Sequence, residues 1–261
     1  MKVKVDGVQI NYEISGKEDG DVVFLSHSLG CNLTMWDYQM PALEPHFKVV
    51  RYDMRGHGLS DAPARAYTME ELGEDAVGLL DALELDKVHW VGLSMGGMIG
   101  QCLALNHAGR MKSLVLCDTG ALMPDDAQPI WQERIDEARN QGMKARVPST
   151  LEDWFTPEFL EENPPAIEKI SRQLITTPVD GYIGCIEALR KLNYIDRLSE
   201  IKTPTLIMVG DKDMGTPVEA SRAMHERIAG SRLVIIPDAA HLSTVAQPEA
   251  INKALLDFLK T

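Results

Sequence analysis

Ser94, Asp213 and His241 are the residues of this chain whose types, order and neighbours indicate catalytic chemistry. Ser94 is the third residue of Gly92–Gly96, a Gly-x-Ser-x-Gly pentapeptide between a predicted strand and a predicted helix. In that context the pentapeptide forms a sharp turn that lifts the serine above the sheet. A serine hydroxyl is a weak nucleophile near neutral pH, so attack on a carbonyl carbon also needs a base and a carboxylate that orients the base.

His241 is the predicted base. It follows the apolar run Leu233–Ile236 after a few residues, and polar residues that follow the strands of an open parallel sheet gather at one edge. Of the other histidines, His89 is predicted to pack within a strand and His57 to brace a loop. The order of serine, acid and histidine along the chain is the order expected for this architecture.

Asp213 is the predicted acid, in the loop that follows the apolar run Thr205–Val209. Asp211 stands two residues earlier in that loop, and only one of the two can face the imidazole. Asp118 is an alternative acid, because it lies at the end of the predicted strand Leu114–Cys117, one strand earlier than the strand that precedes Asp213.

Two backbone N–H groups are predicted to stabilise the tetrahedral oxyanion. One belongs to Met95, which follows the nucleophile at the start of a helix, where N–H groups lack intrahelical partners. The other belongs to Leu29, in the loop after the predicted strand Val22–Ser26.

Apolar runs typical of strands alternate with segments of helical period, which predicts an α/β fold with a mostly parallel sheet and helices on both faces. One helix is predicted over Met69–Leu85, opened by a capping box of Thr68 and Glu71. Between residues 122 and 194 the strand pattern stops and only helices are predicted. Residues 1–121 and 195–261 are therefore expected to form the core domain, and residues 122–194 a helical cap after the sixth strand.

Composition limits the partners and the location. The chain has 261 residues, 44% of them hydrophobic, and a net charge of −13, which argues against nucleic acid and anionic membranes as partners. The four cysteines form no Cys-x-x-Cys pair, which favours reduced thiols and a cytoplasmic location. Two strands are predicted at the very start of the sequence, which leaves no room for a signal peptide. No apolar run is long enough to span a membrane. No metal-ligand spacing is present, so neither metal nor cofactor is expected.

Several longer motifs extend these local signals over the whole chain: His27–Gly30, Tyr52–Ser60, Gly92–Gln101, Leu114–Thr119, Trp131–Ile135, Trp154–Phe155, Asp180–Cys185, Gly210–Pro217 and Ala239–Ser243. With these motifs the chain resembles the α/β-hydrolase superfamily and, within it, the 3-oxoadipate enol-lactonases of the β-ketoadipate pathway of aromatic degradation. The resemblance implies a catalytic triad of Ser94, Asp213 and His241. It also implies hydrolysis of a small lactone or ester through an acyl-serine.

The substrate that the resemblance implies carries a carboxylate, which an acidic protein must attract with a local positive charge. Arg134 of the cap is the candidate for this contact, with Trp131 as an apolar wall of the substrate site. Three other functions stay open: a general carboxylesterase or lactonase, a cofactor-free haloperoxidase or perhydrolase, and a ligand receptor that keeps the hydrolase fold.

Overall fold

The computed structural model describes residues 1–261 and contains one eight-stranded sheet. The strands are β1 (Lys2–Val5), β2 (Val8–Gly16), β3 (Val22–Ser26), β4 (Lys48–Tyr52), β5 (Val88–Leu93), β6 (Met111–Cys117), β7 (Thr205–Gly210) and β8 (Arg232–Ile236). The α-helices are α1 (Met40–Leu43), α2 (Met69–Ala82), α3 (Met95–Asn106), α4 (Gln128–Gln141), α5 (Val147–Trp154), α6 (Pro157–Glu162), α7 (Pro165–Thr176), α8 (Val179–Leu189), α9 (Val218–Arg227), α10 (Ser243–Ala246) and α11 (Pro248–Leu259).

The strand order is β1-β2-β4-β3-β5-β6-β7-β8. The first two pairings, β1 with β2 and β2 with β4, are antiparallel, and all the others are parallel. Every residue of β7 is buried, as expected of a strand covered on both faces. The predicted α/β fold with a mostly parallel sheet is therefore confirmed, and the carboxyl ends of β3 and β5 to β8 lie at one edge.

Strands β3 and β5 lie side by side, with Ser26 opposite Gly92 in the register. Phe24 and Trp90, which are paired across these strands, are buried and stack with their ring centroids 5.3 Å apart. This contact fixes the two strands from whose ends the Leu29 loop and Ser94 emerge.

Helix α2 begins where the sequence predicts, because the Thr68 hydroxyl accepts the backbone N–H of Glu71 at 3.1 Å. The second half of the capping box is absent, since the Glu71 carboxylate pairs with Arg55 and Arg65 instead. The helix ends at Ala82 rather than Leu85. Glu84 adopts a left-handed φ of 54°, and Leu85 N–H bonds back to the carbonyl of Leu80, the pattern of a Schellman stop.

Residues 122–194, called here the cap segment, contain helices α4 to α8 between β6 and β7. An isolated antiparallel bridge between Leu122 and Asn193 joins its two ends. Helix α7 is tied to the rest of the chain through an ion pair of Lys169 with Asp37 and a hydrogen bond that the Asn32 N–H donates to Gln173 Oε1. None of the helices has the length and apolarity needed to cross a membrane.

Candidate active site

Ser94 occupies a strained turn between β5 and α3. Its φ of 53° and ψ of −114° lie in a region that residues with a side chain rarely adopt. The turn requires glycine on both sides: a Cβ on Gly92 would lie 2.1 Å from the carbonyl oxygen of Gly96, and a Cβ on Gly96 would lie 2.1 Å from that of Ser26. The Ser94 carbonyl accepts the Thr119 hydroxyl at 2.7 Å, which helps to hold the turn.

His241 connects Ser94 to Asp213. The distance from His241 Nε2 to Ser94 Oγ is 2.9 Å, and that from His241 Nδ1 to Asp213 Oδ2 is also 2.9 Å. All three residues are buried. A carboxylate accepts the Nδ1–H, which leaves Nε2 free to accept the serine proton. The structure thus brings together the three residues that the sequence predicts as nucleophile, base and acid.

The Asp213 carboxylate is held by its own loop. Oδ1 accepts the backbone N–H groups of Gly215 and Thr216, both at 2.9 Å, and Oδ2 accepts the Thr216 hydroxyl at 2.7 Å. Burial raises the pKa of Asp213, but His241 and these donors outweigh it and hold the pKa below its ordinary value of 3.8. Asp213 is therefore ionised when it faces the imidazole.

The pKa of His241 lies above its ordinary value of 6.5. Burial lowers it, but the charge of Asp213 and the hydrogen bond to that carboxylate raise it more, with Asp118 adding to the rise and Arg134 opposing it. The carboxylate thus increases the proton affinity of His241, as suits a base that must accept the Ser94 proton.

The two other acids considered from the sequence face elsewhere. The buried Asp118 carboxylate accepts the Gly210 N–H at 2.8 Å and the Ser243 hydroxyl, and burial together with the nearby Asp213 charge raises its pKa to about 8. Asp211 is partly exposed, beside Lys212. Neither hydrogen-bonds to His241, whereas Asp213 does.

The N–H groups of Leu29 and Met95 donate to no protein acceptor in the structure, as an oxyanion site requires. His57 Nε2 accepts the N–H of Gly30 at 2.8 Å, and His27 Nδ1 donates to the carbonyl of Ser28 at 2.7 Å. Burial lowers the pKa of His27 to about 4 and that of His57 to about 3. Both imidazoles are therefore neutral, and their hydrogen bonds stabilise the loop that carries Leu29.

A cavity of about 430 Å³ opens over Ser94 and His241. Most of its lining is apolar, and the exposed side chains of Leu122, Ile130 and Met214 stand among its walls. Four of the five helices of the cap segment contribute lining residues, among them Trp131, Trp154, Leu174 and Tyr182. The cavity has the volume and the apolar walls typical of a small-molecule site.

Trp131 and Arg134 both line this cavity, as their assignment to substrate binding requires. The Arg134 guanidinium lies over the Trp131 ring, 4.6 Å from its centroid, and Arg134 Nη2 donates to Asp153 Oδ2 at 2.7 Å. Asp153 lines the cavity as well. Arg134, the residue expected to contact a substrate carboxylate, therefore already pairs with the carboxylate of Asp153 within the site.

Sequence reasoning missed two polar contacts of the site, those of Thr216 and Asp153. For Thr216 a signal exists, because an aspartate that precedes glycine and threonine by two and three residues favours a turn in which its side chain accepts their N–H groups. For Asp153 no local signal exists, since its partner lies 19 residues away on another helix.

The dependence of kcat/KM on pH should report the His241 pKa. Below that pKa the imidazole is protonated and cannot accept the Ser94 proton, so kcat/KM should rise with pH to a plateau through a midpoint above 6.5. The measurement is kcat/KM against pH on an ester that does not itself ionise. A flat profile between about pH 5 and pH 8 would contradict a histidine base.

No group of three or more His, Cys, Asp or Glu side chains is arranged to hold a metal ion.

Comparisons with known proteins agree with this geometry. The model of the α/β-hydrolase fold family matches residues 21–245. The 3-oxoadipate enol-lactonase 2 of Acinetobacter baylyi is 36% identical over 253 residues, which cover 97% of this chain and 94% of that protein. The crystal structure of the enol-lactonase from Burkholderia xenovorans is 36% identical with a TM-score of 0.96, and all of both chains is covered. A hydrolase from Pseudomonas aeruginosa is 40% identical with a TM-score of 0.96, over 100% of this chain and 98% of that one. The chain therefore belongs to the α/β-hydrolase fold family and is a carboxylic-ester hydrolase.

Proposed function

We propose that this hydrolase opens an enol lactone through an acyl-serine intermediate on Ser94, and that 3-oxoadipate enol-lactone, an intermediate of aromatic-compound degradation, is its substrate. The observation that carries the proposal is the hydrogen-bonded series Ser94, His241 and Asp213 at the base of the cavity. The relatives named enol-lactonase support the choice of substrate.

Acylation begins when Ser94 Oγ attacks the lactone carbonyl carbon and its proton passes to His241 Nε2. The charge of Asp213 stabilises the imidazolium that forms. The carbonyl oxygen becomes an oxyanion and accepts the N–H groups of Leu29 and Met95. Each such donor contributes about 3 to 4 kcal/mol to transition-state stabilisation in serine hydrolases of this kind.

The tetrahedral intermediate collapses by breaking the bond between the carbonyl carbon and the ring oxygen. The leaving group is an enolate, a weaker base than an alkoxide, and it takes the proton from His241. Water then attacks the acyl carbon while His241 accepts its proton. The bond between the acyl carbon and Ser94 Oγ breaks, and His241 returns the proton to Oγ, which restores the hydroxyl. The free enol becomes the 3-oxo acid.

We also propose that residues 122–194 act as a cap that selects the substrate, over a core domain of residues 1–121 and 195–261. The cap segment supplies most of the apolar cavity wall, including Trp131, whereas Ser94, Asp213 and His241 all lie outside it. Catalytic and selective functions would then lie on different parts of the chain.

Replacing Arg134 tests its proposed contact with the substrate carboxylate. Arg134→Ala should lower kcat/KM for an anionic enol lactone relative to a neutral aryl ester by about tenfold to a hundredfold, because a hydrogen bond to a charged group contributes about 1.5 to 3 kcal/mol. The measurement is the ratio of the two kcat/KM values.

Arg139→Ala is the matched control, since Arg139 lies on the same helix, is exposed and does not line the cavity. It should leave the ratio unchanged. Equal losses on both substrates in Arg134→Ala would indicate a packing role against Trp131, and an unchanged ratio would remove Arg134 from substrate recognition.

A general carboxylesterase is the second candidate, favoured by one observation. Apart from the base His241, the titratable side chains of opposite charge that line the cavity are those of Arg134 and Asp153, and they neutralise each other. An apolar cavity without net charge also suits neutral esters. Steady-state kcat/KM on a panel of enol lactones, saturated lactones and aryl esters decides between the two. The proposal expects the enol lactone to rank first with many turnovers per active site; a higher rank for neutral esters would favour the esterase.

A further inference from the structure

The ion pair of Arg134 and Asp153 spans two helices of the cap segment. Arg134 lies on α4 and Asp153 near the end of α5, and the distance from Nη2 to Oδ2 is 2.7 Å. The pair is part of the cavity wall. It is therefore not an ordinary surface pair within one helix, such as that of Arg139 with Asp136 on α4.

The position of Asp153 bears on how Arg134 could bind an anion. The hydrogen bond to Asp153 is the only one that Arg134 makes to the protein, and its guanidinium also lies over the Trp131 ring, 4.6 Å from the ring centroid. Arg134 and Asp153 both line the cavity, so a carboxylate bound to Arg134 there would lie close to the Asp153 carboxylate. Like charges at that separation repel each other, so the charge of Asp153 opposes the binding of an anionic substrate.

The exposure of the two side chains decides which partner can leave. The Asp153 side chain is 49% exposed, whereas that of Arg134 is 24% exposed. A half-exposed carboxylate recovers hydration when it leaves its partner, so the cost of separating such a pair is small, on the order of a fewfold change in affinity. Displacement of Asp153 by a substrate carboxylate is therefore energetically accessible.

We propose that Asp153 sets the preference of the enzyme between anionic and neutral substrates. Asp153 neutralises Arg134 through their ion pair, and an anionic substrate binds by replacing Asp153 on the guanidinium. A neutral ester leaves the pair intact. This inference rests on the proposed contact of Arg134 with a substrate carboxylate, and it assigns to Asp153 a role in specificity rather than in the chemical steps.

The test uses Asp153→Asn in the full-length protein with two esters that share one leaving group. Para-nitrophenyl acetate is neutral, and para-nitrophenyl hydrogen succinate carries one free carboxylate. The ratio of kcat/KM for the succinate ester to that for the acetate should rise about threefold to tenfold, mainly through a lower KM for the anionic ester. The gain should shrink at high salt, which screens charges at this exposure.

Asp136→Asn is the matched control, because it removes the same charge from α4 outside the cavity; it should leave the ratio unchanged. Asp153→Ala should raise the ratio as Asp153→Asn does, and Asp153→Glu should keep it close to that of the original protein, because the relevant property is the charge.

An unchanged or lower ratio in Asp153→Asn would overturn the inference, as would an equal rise in Asp136→Asn. Equal changes of kcat/KM on both esters would also overturn it, since they would indicate altered packing of α5. If the unsubstituted protein hydrolysed neither ester nor an enol lactone, the proposed function itself would fail, and that result is distinguishable from all the others.

Discussion

Ser94→Ala should lower kcat for esters and lactones by about 10⁵-fold to 10⁶-fold. Without the hydroxyl no acyl-enzyme can form, and only the oxyanion donors and substrate binding remain to accelerate direct attack by water. The measurement is steady-state hydrolysis of the preferred substrate at saturating concentration. The fold should be retained, because the Ser94 side chain hydrogen-bonds only to His241.

The matched control for Ser94→Ala is Ser221→Ala. Ser221 is a buried serine on α9 that does not line the cavity and whose hydroxyl has no hydrogen-bond partner. Its replacement should leave kcat unchanged. Circular dichroism and the thermal midpoint Tm of both variants separate a catalytic loss from unfolding. Activity of Ser94→Ala within tenfold of the original would exclude Ser94 as the nucleophile.

Asp213→Asn should lower kcat by about 10⁴-fold, as in serine hydrolases whose triad aspartate is replaced in this way. An asparagine can present an N–H to His241 Nδ1 and so favour the tautomer in which Nε2 carries the proton and cannot accept one from Ser94. The midpoint of the pH profile should also fall, because the charge of Asp213 is the main influence that raises the His241 pKa.

Asp118→Asn provides the comparison and should reduce kcat far less. Asp118 contacts Gly210 and Ser243 rather than His241. Its replacement therefore leaves the hydrogen bond that sets the tautomer of the imidazole in place. The reverse ranking of the two variants would place the catalytic acid after β6 instead of in the loop after β7.

The sequence allows the triad to be predicted because each of its residues has a local signal. The glycines around Ser94 mark the turn, and Asp213 and His241 each follow an apolar run. Parallel strands then bring the ends of those runs to one edge of the sheet. The start of α2 at Thr68 is predictable for a similar reason, since its cap involves neighbours in sequence.

Other features could not be predicted, because they depend on contacts between distant segments. Helix α2 stops before Leu85 through a left-handed residue, Glu84, that has no distinctive sequence signal. The pairing of Arg134 with Asp153 arises only when α4 and α5 pack around the cavity. The sequence predicts that His57 braces a loop, but its partner, the N–H of Gly30, lies on a distant segment and could not be predicted. The spacing of apolar residues predicts the helices and strands, but it does not predict which polar side chains form contacts between them.

The identity of the residue that becomes covalently modified tests the central claim most directly. The protein should be treated with a fluorophosphonate probe, and the adduct should be located by peptide mass spectrometry. The triad geometry predicts one adduct, on Ser94, with complete loss of hydrolysis and no labelling of Ser94→Ala. An adduct on another residue, or labelling that persists in Ser94→Ala, would contradict the acyl-serine mechanism.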